Sequence, residues 1–212
     1  MGKRGVMAAL ATLVVIAGGA LTLSWGVLAM QDTSTPADSA ETALLNQGRL
    51  IFEETAGGVG CASCHGHFAL GDRGIAPNIR GASEERIRNA LNTVQNMDFL
   101  NLVDEEIRAV AAFVGGLGAL VPAKTVIQRA AVQTTELTVP AGKEIQLIFE
   151  NIDRTRDYTI NSEAIGIEAL LVPARKAVDY VWTAPEDGGT FTVTCANCSE
   201  AGAQLTITVT QE

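Results

Sequence analysis

Hydrophobic and polar positions divide this chain into four stretches with different periods. Lys3 and Arg4 precede an uncharged run from Gly5 to Gln31. At about 1.5 Å per helical residue, ~20 residues cross a bilayer core, so this run is long enough to span one. The positive flank would keep the N-terminus cytoplasmic and send everything after Met30 outward. Trp25 near the outer end fits an uncleaved anchor, while Val27-Leu28-Ala29 is similar to a signal-peptide cleavage site. Either way, the rest of the chain is exported. The segment QDTSTPADSAET, 31 to 42, is polar, contains Pro36 and lacks an apolar period, which predicts a flexible tether.

Helical spacing follows. In ALLNQGRLIFEETA (43 to 56), Leu44, Leu45, Gly48 and Phe52 share a face. In DEEIRAVAAFV (104 to 114), Ile107, Val110, Ala111 and Val114 do the same. Asp104, Glu105 and Glu106 crowd the first turn, where the helix dipole favours acids. Gly48 would let the two helices cross closely, with Phe52 and Phe113 at the crossing. GGLGAL (115 to 120) has the look of a nucleotide loop but follows a helix rather than a strand, so it predicts a helix stop and a junction. From Val126 the pattern changes to short β-rich runs: ELTVPAG, EIQLIFEN, DYTI, AVDYVWTA, GTFTVTC and AQLTITVT. Alternation in the last two, with PAG and PEDGG as separators, predicts an antiparallel sandwich or barrel.

Composition narrows what these elements can be. Beyond the N-terminal run, roughly 180 residues remain, enough for one ordinary domain or two small ones. Low aromatic and high glycine content argue against one large core. A net charge of −9 excludes a nucleic-acid partner, since no basic stripe exists to neutralise phosphates, and suits a basic protein face.

The four cysteines form two C-x-x-C pairs, 61/64 and 195/198, a spacing that points to cofactor attachment, metal or redox chemistry. CASCHGH (61 to 67) holds the first pair and both histidines of the chain. C-x-x-C-H is the attachment signature of c-type haem: Cys61 and Cys64 would reach the two porphyrin vinyl groups and His65 would sit beneath the iron. Gly60 gives the turn room. A zinc site is the poorer alternative, because His67 is the sole additional ligand nearby. His67 sits too close to His65 to reach the opposite face of the ring, so the stretch makes one site. Met97, alone among methionines beyond the N-terminal segment, is the candidate for the sixth position. A methionine filling a core gap is the bland alternative. Met/His ligation raises the potential and closes the iron to substrates, as an electron carrier requires.

With these motifs in place, residues 43 to 117 resemble class I cytochrome c. The likeness rests on the first helix with Gly48 and Phe52, GCASCH at 60 to 65, APNIRG at 76 to 81 and NMDFLNLVDEEIRAVAAFV at 96 to 114. It implies that Pro77 shapes the side of the ring bearing His65 and that Arg80 lies near a propionate. The unit contains no lysine, unlike cytochromes with a lysine-ringed haem edge.

VPAGKEIQLIFENID and APEDGGTFTVTCANC resemble the early strands and the copper-loop strand of a cupredoxin. Blue copper needs two histidines and a cysteine, and a binuclear centre needs more; residues 124 to 212 contain no histidine or methionine. Arg156 or Asp157 occupies the region of the family's first histidine, and Gly202 and Ala203 lie where another is expected. No copper is expected. Ser199 stands where a second haem would need a histidine, leaving Cys195 and Cys198 as a disulfide, free thiols or half of a shared site; export favours the disulfide.

The expectation is therefore a multidomain chain: a transmembrane anchor (1–30), a linker (31–42), an all-α cytochrome c domain (43–119) and an all-β cupredoxin-like sandwich (124–212). Its cofactor would be one covalent haem c, held by Cys61, Cys64, His65, Met97, Pro77 and Arg80, with His65 and Met97 on the iron. It would pass single electrons rather than act as a catalyst by itself. It would sit single-pass in a bacterial inner membrane, facing the periplasm, with the sandwich docking it to a larger respiratory or photosynthetic complex and to redox donor and acceptor proteins. The resemblance extends to small subunits of haem-copper oxidases and nitric oxide reductases, in the reverse domain order. The alternatives are a haem enzyme or gas sensor with a displaceable Met97, and an assembly factor handling copper or thiols through Cys195 and Cys198.

Overall fold

The computed structural model describes residues 36–71 and 74–211. Helix α1 (Pro36–Leu50) begins within the stretch expected to be a tether and runs directly into a π-helical turn, Ile51–Thr55. A short helix α2 (Ala62–His65) carries the C-x-x-C-H motif. Helix α3 (Glu84–Thr93) starts at Ser83, whose hydroxyl accepts from the Arg86 amide at 3.2 Å and so satisfies one orphan donor of the first turn. Helix α4 (Asp104–Ala119) has Glu106 reaching back to the Val103 amide at 2.9 Å.

The crossing of α1 and α4 follows from small residues. A Cβ on Gly48 would lie 1.9 Å from the Ala109 carbonyl oxygen, so only glycine permits the approach. Phe52 and Phe113 pack there with ring centroids 5.4 Å apart. Ile51, Phe52, Ala109, Val110 and Val114 form the buried centre of this helical layer. The expected stop at GGLGAL is corrected: α4 continues through Gly115 and Gly116 to Ala119, and at Gly118 a side chain would collide with Gly81, 2.5 Å away.

Among the described residues nine strands follow: β1 (Val121–Gln128), β2 (Ala131–Val132), β3 (Glu136–Pro140), β4 (Glu144–Asn151), β5 (Tyr158–Ser162), β6 (Ile167–Val172), β7 (Ala177–Thr183), β8 (Gly189–Cys195) and β9 (Gln204–Thr210). They form two sheets, ordered β2-β1-β4-β7 and β3-β9-β8-β5-β6. Most neighbours are antiparallel, but β1 pairs parallel with β4 and β3 with β9. Ile145, Leu147 and Phe149 of β4 enter the core between the sheets, together with Ile127, Tyr158, Ile160, Leu205 and Ile207.

The run EIQLIFEN is buried on both faces, not one. Gln146 and Ile148, which alternate with the core residues, are also buried. Ile148 lines a crevice with Gly66, His67, Phe68 and Leu70 of the motif loop. The loop after α2 therefore lies against the outer face of β4, and a strand covered on both sides loses its polar alternation.

These contacts correct the expected architecture. The described residues from Pro36 onward form one compact unit, in which the nine-stranded sandwich follows four α-helices in the chain. A free-standing all-α domain joined to a free-standing all-β domain is not what the chain builds. Only Leu120 separates α4 from β1. The expected anchor, 1–30, lies outside the described residues, and among the described residues no helix is long and apolar enough to cross a membrane. On that finding the single-pass inner-membrane placement is set aside.

Candidate functional site

The motif turn is built by backbone constraints before any side-chain chemistry. Gly60 adopts φ +74°, and a Cβ there would meet the Glu53 carbonyl at 2.4 Å, so glycine lets the chain double back beside the π-helical turn. The next residues wind into α2, where the His65 amide donates to the Cys61 carbonyl at 3.0 Å. One helical turn brings Cys61, Cys64 and His65 to the wall of a single cavity of about 640 Å³.

Met97 lies on the same cavity, placed by a 3₁₀ turn (Gln95–Met97) in which its amide donates to the Val94 carbonyl at 2.8 Å. Pro77 lines it too. Helix α3, whose apolar spacing was not read from the sequence, contributes Ile87, Ala90 and Leu91, and its Arg86 is the cation at the wall. The period was present in ERIRNALNT; the missing signal was any chemistry-bearing residue to draw notice.

His65 is 7% exposed, and its Nδ1 lies 2.8 Å from the Pro77 carbonyl oxygen. A carbonyl only accepts, so Nδ1 carries a proton and donates it to this bond. Burial pushes the Cys61 thiol up to about 11. Cys61 and Cys64 form no disulfide.

Arg80 is elsewhere. It does not line the cavity, which corrects its expected place beside an acidic group of the cofactor. Its guanidinium donates to the carbonyls of Phe68 (3.1 Å), Leu117 and Leu120 (3.1 Å), and to Gln146 Oε1 at 2.7 Å. Burial lowers its pKa, partly offset by Asp179.

The second C-x-x-C is closed. Cys195 and Cys198 form a disulfide with Cα atoms 5.4 Å apart. Neighbouring loops are tied to it by side chains: Asn197 accepts from the Thr159 amide at 3.0 Å and donates to the Asp157 carbonyl at 2.9 Å. Asp157 in turn accepts from the Ala174 amide, and Ser199 donates to the Ala130 carbonyl. Asp153 accepts from Tyr158 Oη at 2.6 Å and from the Arg129 and Ala130 amides, which holds its carboxyl below the usual range. Those two amides belong to a two-residue hairpin turn with both φ positive, at 53° and 58°, a turn that normally asks for glycine or asparagine.

No family model matches the chain, and no curated protein does. Solved structures do. Dithionite-reduced auracyanin from Roseiflexus castenholzii aligns at 19% identity over 44% of this chain and 99% of its own, with a TM-score of 0.35. The copper nitrite reductase of Nitrosomonas europaea aligns at 12% identity over 44% of this chain and 42% of its own, TM-score 0.36. A chain of a haem-copper terminal oxidase dimer aligns at 12% identity over 42% and 65%, TM-score 0.35. Each of these alignments covers less than half of this chain.

The expected cofactor set, one covalent haem c without copper, is set aside: auracyanin A of Chloroflexus aurantiacus is a blue copper protein and the nitrite reductase a copper enzyme, and neither assigns a cofactor to this chain. Among the described residues no group of three or more His, Cys, Asp or Glu side chains is placed to hold a metal ion. The cavity is instead of the size that encloses an organic ligand, about 300–1,000 Å³, and its lining is predominantly apolar.

Proposed function

We propose that this protein is an electron-transfer module that carries single electrons through a prosthetic group seated in the cavity between α2, α3 and the Met97 turn. The observation that carries the reading is the convergence of two free thiols, an imidazole oriented by its Nδ1 bond to Pro77, and a thioether on one apolar cavity of about 640 Å³. The donor set would suit a redox-active group: Cys61 and Cys64 could attach it, and His65 and Met97 could offer it nitrogen and thioether sulfur. Such a group, when bound, supplies reversible one-electron chemistry.

The chain's own residues do the rest. Cys61 and Cys64 prevent loss of the group, and Pro77 orients His65. Ile87, Leu91 and Val110 exclude water, and Arg86 pairs with an anionic substituent at the cavity wall. Low dielectric and fixed donors keep the two oxidation states close in geometry, which lowers the cost of each transfer. The sandwich docks this unit to a larger redox complex, and the charge of −9 suits a basic partner face.

Purified full-length protein decides the matter by elemental analysis, a denaturing gel and a redox titration. The expected outcome is a stoichiometric metal, colour that stays with the denatured chain, and a single-electron wave that Met97→Ala displaces. A colourless, metal-free protein, or colour that leaves on denaturation, would overturn the reading.

A further inference from the structure

Arg80 joins parts of the chain far apart in sequence. It sits in the 76–82 loop, three residues after the proline whose carbonyl receives the His65 proton. The loop is pinned along its length: the Ile79 amide donates to Ala69 at 3.0 Å, the Arg80 amide to Asn78 Oδ1 at 2.9 Å, and the Gly81 amide to Val114 at 2.7 Å. All of these partners belong to the helical layer. The Arg80 guanidinium alone carries the loop across to the sandwich, where it meets Gln146 Oε1. Gln146 is 1% exposed, and its amide nitrogen donates to Asp179 Oδ2 of β7 at 2.6 Å.

A buried glutamine in the middle of a strand costs free energy unless both ends of its amide are satisfied. Here one end is filled by Asp179 and the other by Arg80, so the amide's orientation is fixed and its oxygen faces the loop. The guanidinium's other bonds, to Phe68, Leu117 and Leu120, hold its plane rigid. A planar fork of donors can do this, whereas a lysine ammonium offers no fixed plane.

We infer that Arg80 is a positioning residue through which the β-sandwich sets the His65 imidazole: Asp179 and Gln146 lock Arg80, Arg80 locks the 76–82 loop, and the loop presents the Pro77 carbonyl to His65 Nδ1–H. The sandwich thus acts as a brace behind the motif as well as a docking unit. The functional consequence rests on the cavity being the redox site; the brace itself does not.

The test uses the full-length protein, reduced, and follows solvent exchange of the His65 Nδ1–H proton by NMR beside the β9 amides. Arg80→Gln should speed exchange of that proton by about tenfold or more while β9 protection stays unchanged, because local opening is reported separately from global unfolding. Arg80→Lys should restore protection only in part. Should Arg80→Gln fail to fold, Gln146→Leu, which leaves Arg80 in place but removes both its sandwich acceptor and the donor to Asp179, should still speed His65 exchange severalfold. Unchanged His65 exchange in a folded variant would overturn the brace, and so would acceleration equal to that of β9, which would mean general destabilisation. A protein lacking any redox group but showing selective exchange would sink the functional reading and leave the brace standing.

Discussion

Two C-x-x-C turns in one chain have opposite fates. Cys61 and Cys64 lie on a single helical turn with their sulfurs unbonded, on the wall of a large cavity, and a buried histidine follows. Cys195 and Cys198 close on each other at the exit of β8, against the sandwich core, and a serine follows. The spacing is identical, so spacing does not decide the chemistry. At the first turn, the helix presents both thiols to space that only a large group can fill. At the second, the Cys198 amide returns to the Cys195 carbonyl at 3.4 Å, and the bonds of Asn197 and Ser199 hold the turn shut.

The contrast is broken most completely by exchanging both cysteines of one pair for serine. Cys61→Ser with Cys64→Ser should abolish retention of the prosthetic group on a denaturing gel. The same change at 195 and 198 should leave retention intact. Equal retention in the two double variants would erase the distinction.

Next in size is the helical crossing on which the first turn depends. Gly48→Val should destabilise the protein by about 3 kcal/mol in a denaturant titration, as overpacking against an immovable backbone does, because the new side chain meets the Ala109 carbonyl. Gly115→Ala, with nothing near its Cβ position, should be neutral or slightly stabilising.

The free thiol state makes a pH prediction. Folding raises the Cys61 thiol from 9.0 to about 11, chiefly through burial. The folded state therefore holds its proton over a range where the unfolded state has lost it. Stability is fully present below pH 9 and falls as pH rises toward 11, by about 2–3 kcal/mol for a shift of this size. Protein whose Cys61 is attached to a group has no thiol to ionise and should lack this slope. Urea titrations of the two forms between pH 8 and 11 check it.

The smallest effect belongs to the closed pair. A loop of four residues restricts the unfolded chain little, so Cys195→Ser with Cys198→Ser should cost about 2 kcal/mol. A loss well above that would show the bond shaping the loop end beyond chain entropy.

Much of the chain was legible from pattern. Gly48, Phe52 and Phe113 marked a helix crossing because close approach needs a missing side chain, and that requirement is written locally. Alternation in GTFTVTC and AQLTITVT marked strands with one face buried. Helix α3 was missed because its apolar face lines a cavity rather than carrying a motif. Strand β6 was missed because its burial runs against simple alternation. Arg80 was legible as a cation in the proline loop but not as a link, since its acceptor is 66 residues away.

By itself, then, the sequence determined the crossing helices, the alternating strands, the C-x-x-C-H motif and the lack of histidine and methionine in the sandwich, because periodicity and spacing are properties of neighbouring residues. Only the tertiary structure decided that the loop after α2 lies against the outer face of β4, that one cysteine pair stays open while the other closes, and that Arg80 meets Gln146. Each of these depends on which surfaces meet after the chain has folded, and two segments distant in sequence carry no local mark of the face they will share.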